Sequence, residues 1–536
     1  MSTVSTDKYE PPANGFRTFV AIWITQAFSA FGSQLTFFAL TIWLATSLYP
    51  SDEQKPQLAF ALTAISLSFT LSVLIAPVAG AWADRHDRKQ TMIVVDFLNG
   101  VLSLVLMGLI LAGMLQLWIL LILFPILAVL FQFHNAAFDA SYAMIVPEKQ
   151  LPRANGMMQT MWSLSAILSP AIAATIIALP GMARQGSLPD FIAPVLAGIR
   201  EGAALAIGID AVTFFIGAAV LPFLYVPSPK RTDLGEKGTK PKKSMWADIK
   251  EGGRYIRLRK PLLWLLATFT VVNFASSPME VFIPLLLKFN LAPDWQAQGF
   301  TFESSLALLS TLGGVGGLAG GILMSTWGGL KRRRVYGVVV PILIAGVVQT
   351  MYGLSPWLYA TGIFNFMMVA LIPIMNAHSQ TIWQTQVPRE LQGRVFSVRR
   401  VIAQFSAPLG VMLAGFTGAI FNPGYVLAAL GIFIVVFAIF QLFNPYLLRV
   451  EDKEFLDKGA AEAGDRGGAG GSAGGGAAGA ELDSATAQPT DGDVSLGSAT
   501  SVPAMPTPGE DIDSAGEDGE RYGGYRKREA EPEVRK

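Results

Sequence analysis

The sequence predicts an all-α membrane protein whose twelve transmembrane helices form two pseudo-symmetric six-helix bundles. Three observations carry this. The 536 residues are 52% hydrophobic and only 15% charged, against about 25% charged in soluble proteins. The apolar residues are gathered in twelve long unbroken runs. Distinctive residues also recur at one constant offset of 241 positions: Gly80 with Gly321, Asn135 with Asn376, Ala136 with Ala377, Val146 with Val387 and Pro147 with Pro388. A net charge of +1, from 40 Lys/Arg and 39 Asp/Glu, gives no reason to expect a nucleic-acid partner. The absence of cysteine excludes disulfide scaffolds, thiolate zinc sites, iron–sulfur clusters and cysteine nucleophiles.

Lipid offers no hydrogen bonds to a bare backbone, so only helices or closed barrels cross it. A crossing helix needs about 20 apolar residues. The runs are of that length and do not alternate, which selects helices over a barrel. They cover 18–46, 58–83, 91–114, 117–145, 154–179, 202–226, 262–288, 304–327, 335–354, 357–386, 395–421 and 424–447. The first run is too long for a cleaved leader and is expected to be a retained anchor.

Connections after even-numbered runs carry 24 Lys/Arg, with Arg399 and Arg400 counted as loop charges, and those after odd-numbered runs four, with Lys288 counted among them. The positive-inside bias predicts both termini in the cytoplasm of a multi-pass cytoplasmic-membrane protein. The expected organisation is a cytoplasmic segment 1–17, a first bundle 18–226, a cytoplasmic linker 227–261, a second bundle 262–447 and a tail 448–536. Within the linker, residues 244–257 read as a short amphipathic helix whose Trp246, Ile249 and Tyr255 could sit in the headgroups. Residues 459–536 hold 15 acidic and seven basic residues with little to bury, and are expected to be disordered. The parallel repeat implies a central path, a mid-membrane substrate site and rocking of one half on the other.

The sharpest local motif is Gly80-Ala-Trp-Ala-Asp84-Arg85-His86-Asp87-Arg88-Lys89, at the end of the second run. Gly80 would allow close helix approach, and the charges would form a latch. The motif resembles the loop signature of the major facilitator superfamily, with Asp87 where Gly is usual. The segments Ile145-Val146-Pro147-Glu148 with Leu151, Arg153, Ala154 and Asn155, then Val387-Pro388-Arg389-Glu390-Leu391 with Gly393 and Arg394, and Ile209-Asp210-Ala211 with Thr213-Phe214, resemble the branch holding macrolide-efflux proteins and the enterobactin exporter. The resemblance spans about residues 16–450. It implies a gating latch in which Arg88 pairs with Asp139 and Asp84 pairs with Arg394. It also implies that spans 1, 4, 7 and 10 line the cavity. Ser165 to Ala174, around Ser169-Pro170, is similar to the antiporter motif of that superfamily, and a generic small-residue helix interface explains it equally well. The glycines from Gly313 to Gly321 read as a close-packing face, since no Gly-Lys-Ser/Thr follows and no Walker motif exists.

Ionisable groups inside a membrane are costly and are functional candidates by default. Glu280, Asp210 and Asp96 are the proton-coupling candidates. Glu280 lies near the proline break at Pro278, and a solvated outer-mouth position is its alternative. Asp96 and Asp210 could instead be structural, satisfied by Asn99 or Thr213. His134 and His378 could form a polar pair across the halves, or be satisfied core histidines. The substrate cavity is expected to draw on Gln26, Phe31, Gln34, His134, Asn135, Asn273, Asn376, His378 and Gln380. His134 with Asp139 also matches an acyltransferase pattern, in which the histidine would be a base; two fixed positions carry little weight.

The expected function is secondary active transport, namely proton-coupled efflux of a hydrophobic or amphipathic small molecule by alternating access. The expected partners are that small molecule, protons and the lipid bilayer. No enzyme activity, cofactor or metal is expected, and a monomer is favoured. The alternatives are a facilitator or importer of a metabolite, and a non-transporting scaffold or sensor.

Overall fold

The computed structural model describes residues 14–83, 85–226 and 245–456. Among these residues the secondary structure is helical, without strands. Twelve helices are long and apolar enough to cross a bilayer. Spans 1 to 6 are Gly15–Leu48, Asp52–Ala83, Arg88–Leu111, Leu117–Tyr142, Arg153–Arg184 and Ala203–Phe223. Spans 7 to 12 are Lys260–Phe289, Phe302–Trp327, Tyr336–Leu354, Leu358–Gln386, Leu391–Ile420 and Pro423–Leu442. Large apolar side chains such as Val78, Phe97, Val212, Phe416 and Val436 are exposed on these helices. In water such a surface would drive association; here it is the face that meets lipid.

Local signals set the helix ends. Asp87, the residue that departs from the loop signature, caps span 3 by accepting from Gln90 N at 3.0 Å. Thr301 and Ser304 form a reciprocal capping box at the start of span 8. Gly328 ends that span in the left-handed conformation at φ 74°, where a Cβ would be strained. Span 7 is broken: helix Lys260–Ser276 stops, and Pro278 starts a second piece, Met279–Phe289.

The packing repeats. Spans 1 and 5, 2 and 4, 3 and 4, and 3 and 6 are in contact. Their counterparts 7 and 11, 8 and 10, 9 and 10, and 9 and 12 are in contact likewise. Across the halves span 2 meets span 11 and span 5 meets span 8, a pair that exchanges under the same rule. The architecture is therefore two six-helix bundles related by approximate twofold symmetry. The glycine face of span 8 closes on span 10. A Cβ at Gly316 would strike the Phe366 carbonyl, and one at Gly320 the Ala370 carbonyl.

The linker helix, Met245–Leu258, lies against the second half. Its Tyr255 is buried and donates its hydroxyl to the Gln386 carbonyl at 2.9 Å. Tyr255 is thus a packing residue and not a headgroup anchor; the side chains of Trp246 and Ile249 lie outside the described residues. The start of the expected tail is ordered, with Val450 and Leu456 buried against the body. The acidic stretch that follows, the first part of the linker and the first 13 residues lie outside the described residues.

Candidate functional site

Two adjoining cavities run along the seam between the halves. The face of the molecule that carries the loop between spans 2 and 3 is called the basic face, and the other the far face. One cavity, of about 490 Å³, lies toward the far face and is walled by Phe37, Phe69, Phe124, Phe131, Trp162 and Phe214. Phe69 sits at the centre of this wall, edge-on to Phe37, Phe124 and Phe131 at 5.8 to 6.4 Å. Asp210 and Glu280 both line the cavity, with Gln34, Ser33 and Thr36. The second cavity, of about 410 Å³, lies toward the basic face and is lined by Gln26, His134, Asn135, Asp139 and Arg400. Ser33, Asn99, Phe131, Trp162 and Phe214 belong to both.

The charges are held differently. Asp210 Oδ2 accepts from Thr36 at 2.7 Å and from Ser103 at 3.1 Å. Gly32 makes room for it, since a Cβ there would stand 2.7 Å from Asp210 Oδ1. Thr213, its expected partner, instead donates to the Asp210 carbonyl. Glu280 opens into the cavity from the first turn of helix Met279–Phe289. Asp96 is fully buried and does not line either cavity. Its partner is His134, whose Nδ1 stands 2.8 Å from Asp96 Oδ1, not Asn99. The other ring nitrogen of His134 meets Gln26 Oε1. His134 therefore faces Asp96 on span 3 rather than Asp139, so the acyltransferase pattern marks no catalytic pair.

Of the two latch pairings, Arg88 with Asp139 is not made, and Asp84 with Arg394 falls on Asp84, which lies outside the described residues. Arg88 is buried and donates to the carbonyls of Ala83 and Ala140 at 3.1 and 3.0 Å. It also reaches Met144 Sδ at 2.6 Å. It thus reaches the helix of span 4 at the Ala140 carbonyl and Met144 Sδ, while Asp139 lines the basic-face cavity with Arg400. Arg394 pairs with Glu251 of the linker helix at 2.6 Å. Arg85 is exposed. Gly80 is not a close-approach point, because a Cβ there would meet nothing within 4 Å.

Of the nine cavity candidates, Gln34, Gln26, His134 and Asn135 line the cavities. Phe31 packs against the apolar core. None of the four second-half candidates lines either cavity. Asn273 donates to the Ala403 carbonyl at 2.8 Å. Gln380 accepts from Arg399 at 2.8 Å, and Asn376 is exposed elsewhere. His378 is buried in the second half, accepting from Leu330 N at 2.9 Å and meeting the Ile374 carbonyl at 2.7 Å. It does not pair with His134. The second half supplies Glu280, Ile283 and Pro284 from broken span 7, Leu306 and Ser310 from span 8, and Arg400 from span 11.

Sequence reasoning missed two features. Arg399 and Arg400 read as loop charges, yet both lie inside helix Arg389–Ile420. Their signal was available, since helix spacing carries Gly393 through Arg400 without a breaker. At the far face, two lysines join the halves. Lys288 on span 7 donates to the carbonyls of Ala45, in the last turn of span 1, and Tyr49, just after it, at 2.6 and 2.5 Å. Lys55 on span 2 donates to the Phe421 carbonyl after span 11 at 2.8 Å. Helix C-terminal carbonyls lack intrahelical partners and carry the negative end of the dipole, so each ammonium closes a gap between the halves.

Comparison with known proteins bears on this geometry. The family profile described as Major Facilitator Superfamily matches residues 22–411. Macrolide efflux protein A of Streptococcus pyogenes is 26% identical over 402 residues, covering 74% of this chain and 88% of the relative. The multidrug efflux pump Tap of Mycolicibacterium fortuitum is 25% identical over 370 residues, covering 66% of this chain and 79% of the pump. Among solved structures, a bacterial homologue of the human lysosomal transporter Spinster, inward-facing and unoccupied, aligns with a TM-score of 0.56 at 16% identity, covering 84% of this chain and 99% of the other. The nucleoside transporter NupG aligns with a TM-score of 0.54 at 12% identity, covering 80% and 98%.

Proposed function

The chain belongs to the Major Facilitator Superfamily, and on that premise we propose that this transporter exports a hydrophobic or amphipathic small molecule in exchange for protons, by alternating access. The observation that carries the reading is the far-face cavity. Its aromatic wall suits an apolar, ring-bearing solute, and the same space holds two carboxyl groups, Asp210 and Glu280. A carboxyl group inside a membrane cavity is retained for a task, and taking and releasing a proton is the task that drives exchange. The resemblance to macrolide-efflux and multidrug-efflux relatives supports export of organic solutes over sugars or small ions. In this reading the bundles 18–226 and 262–447 are the two moving bodies, and the loop charge bias supports a cytoplasmic side for both termini.

The test is reconstitution in liposomes with an imposed pH gradient, following efflux of erythromycin and of an unrelated lipophilic amine. Efflux of at least one should accelerate with the gradient, and Glu280→Gln should flatten that response. A rate indifferent to both the gradient and the substitution removes proton exchange. Rapid counterflow without any gradient would favour a facilitator instead.

A further inference from the structure

The far-face cavity does not account for the most deeply buried charge of the molecule. Asp96 on span 3 is fully buried, and a carboxylate there carries a desolvation penalty unless an opposite charge stays beside it. The ring of His134 supplies that charge, with Nδ1 2.8 Å away. Space is made by Gly217 on span 6, where a Cβ would stand 3.1 Å from Asp96 Oδ2. On its other side the imidazole meets the Oε1 of Gln26, also buried. Both ring nitrogens therefore face oxygen acceptors. Nδ1 stands beside Asp96 as a close charge contact without hydrogen-bond alignment, since His134 Nδ1 and both Asp96 oxygens lack a hydrogen-bond partner among the described residues; an imidazolium supplies the opposite charge this contact calls for, and a neutral ring does not. The arrangement is built for the protonated ring. The Gln26 amide nitrogen, meanwhile, is buried without a hydrogen-bond partner among the described residues. Turned over, that NH2 group would donate to a ring nitrogen that has lost its proton. One side chain thus fits both protonation states, each in one of its two orientations.

We propose that His134, held between Asp96 and Gln26, is a proton-binding station of the transport path, separate from Asp210 and Glu280. This rests on the proton-exchange reading above and adds a second site to it. On release, the N–H bond at Nε2 breaks and the proton passes to water in the basic-face cavity, which His134 lines. The Nδ1 proton stays against Asp96, and the Gln26 amide turns to donate to the bare Nε2. Loading reverses each step.

Release leaves Asp96 without its counter-charge, so something has to favour it. The groups that face the ring settle what. Asp139, on the same helix, and Arg400, from span 11 of the other half, line the same cavity. Span 1 offers Gln26 and Ser29 and span 5 offers Met158 and Met161 along that cavity, all uncharged. Movement of span 11 toward span 4 brings the Arg400 guanidinium nearer the imidazolium and drives its proton off; movement away lets it reload. Rocking of the halves is thereby tied to the proton affinity of one ring.

The chain contains three histidines, His86, His134 and His378. Nitrogen-15 NMR of the histidine rings, on the full chain in nanodiscs, therefore gives three pairs of resonances, and His134→Gln identifies the pair of interest without any transported solute. The expected result is a ring that titrates between pH 5 and 9. Its proton affinity should fall tenfold or more in Asp96→Asn and rise in Arg400→Gln. A ring that keeps one protonation state across that range, or whose midpoint ignores both substitutions, overturns the proposal. The second arm is the pH profile of gradient-driven erythromycin and amine efflux in liposomes. His134→Gln should shift or flatten that profile, and Gln26→Leu should shift it with the histidine still present. A profile unchanged in both overturns the proposal even where the ring titrates. If His134→Gln does not fold, Gln26→Leu decides in its place. Wild-type efflux that ignores the gradient defeats the exchange reading, whereas coupled wild-type efflux with unaltered variants defeats only the histidine station.

Discussion

Lys288→Met is the substitution whose effect the far-face geometry fixes best. The ammonium of Lys288 holds two carbonyls at the end of span 1, those of Ala45 and Tyr49, at 2.6 and 2.5 Å. A hydrogen bond from a charged donor contributes about 1.5–3 kcal/mol. The site is only half buried, so about 2 kcal/mol is taken for the pair after allowing for solvent screening. Methionine matches the length of the stem and removes the donors, so this stabilisation is lost from the closed arrangement alone. At 1.4 kcal/mol per tenfold, the equilibrium between a closed and an open far face shifts by roughly 30-fold toward open. The chain has no native cysteine, so a spin-label pair at Glu53→Cys and Gln298→Cys, one in each half, reports the separation by electron–electron dipolar spectroscopy. In Lys288→Met the distance distribution should gain a longer component, and Lys288→Arg, which keeps the charge, should suppress it. A distribution identical to that of the lysine form would refute the reasoning that this contact holds the halves together.

Other consequences can be measured separately. Gly320→Leu should lower the melting temperature in detergent, because its Cβ would run into the Ala370 carbonyl and overpacking costs about 1–3 kcal/mol. Gly80→Ala, with nothing within 4 Å, should leave the melting temperature unchanged by the same measurement. Asp87→Ala removes the cap of span 3 and should cost about 1 kcal/mol, visible as a lower melting temperature that Asp87→Ser restores. Asp210→Asn turns an acceptor of the Thr36 and Ser103 hydroxyls into a group that cannot shed a proton; efflux should lose its response to an imposed pH gradient, and an intact response would exclude Asp210 from the coupling.

The fold was legible because the bilayer imposes one length and one hydrogen-bonding rule on every crossing segment. The constant offset between Gly80 and Gly321, or Asn135 and Asn376, expresses the symmetry that the packing pairs repeat. The first-half cavity residues were legible for a related reason. Gln26, Gln34 and Asn135 are polar groups on apolar helices with few places to point except inward. The second half defeated the same logic because its polar groups are consumed locally. Asn273 holds a carbonyl of span 11, Gln380 holds Arg399, and His378 holds the turn at Leu330. Sequence spacing states which face a side chain occupies but not who is already there. The pairing of Asp96 with His134 was hidden similarly. Both were visible as buried ionisable groups, but the contact joins positions 38 apart on different helices, and no local pattern encodes it.

The break in span 7 has a mechanical consequence. Pro278 frees the piece Met279–Phe289 from the rest of its helix, and that piece bears Glu280 near one tip and Lys288 near the other. Eight residues separate them, about 12 Å along a single stiff rod. One tip looks into the chamber where cargo would lodge, and the other grips the opposite body of the molecule. On the proposed reading, a tilt forced at the first tip would pull on the second, and arrival of a passenger and unfastening of the far door would be strokes of one lever.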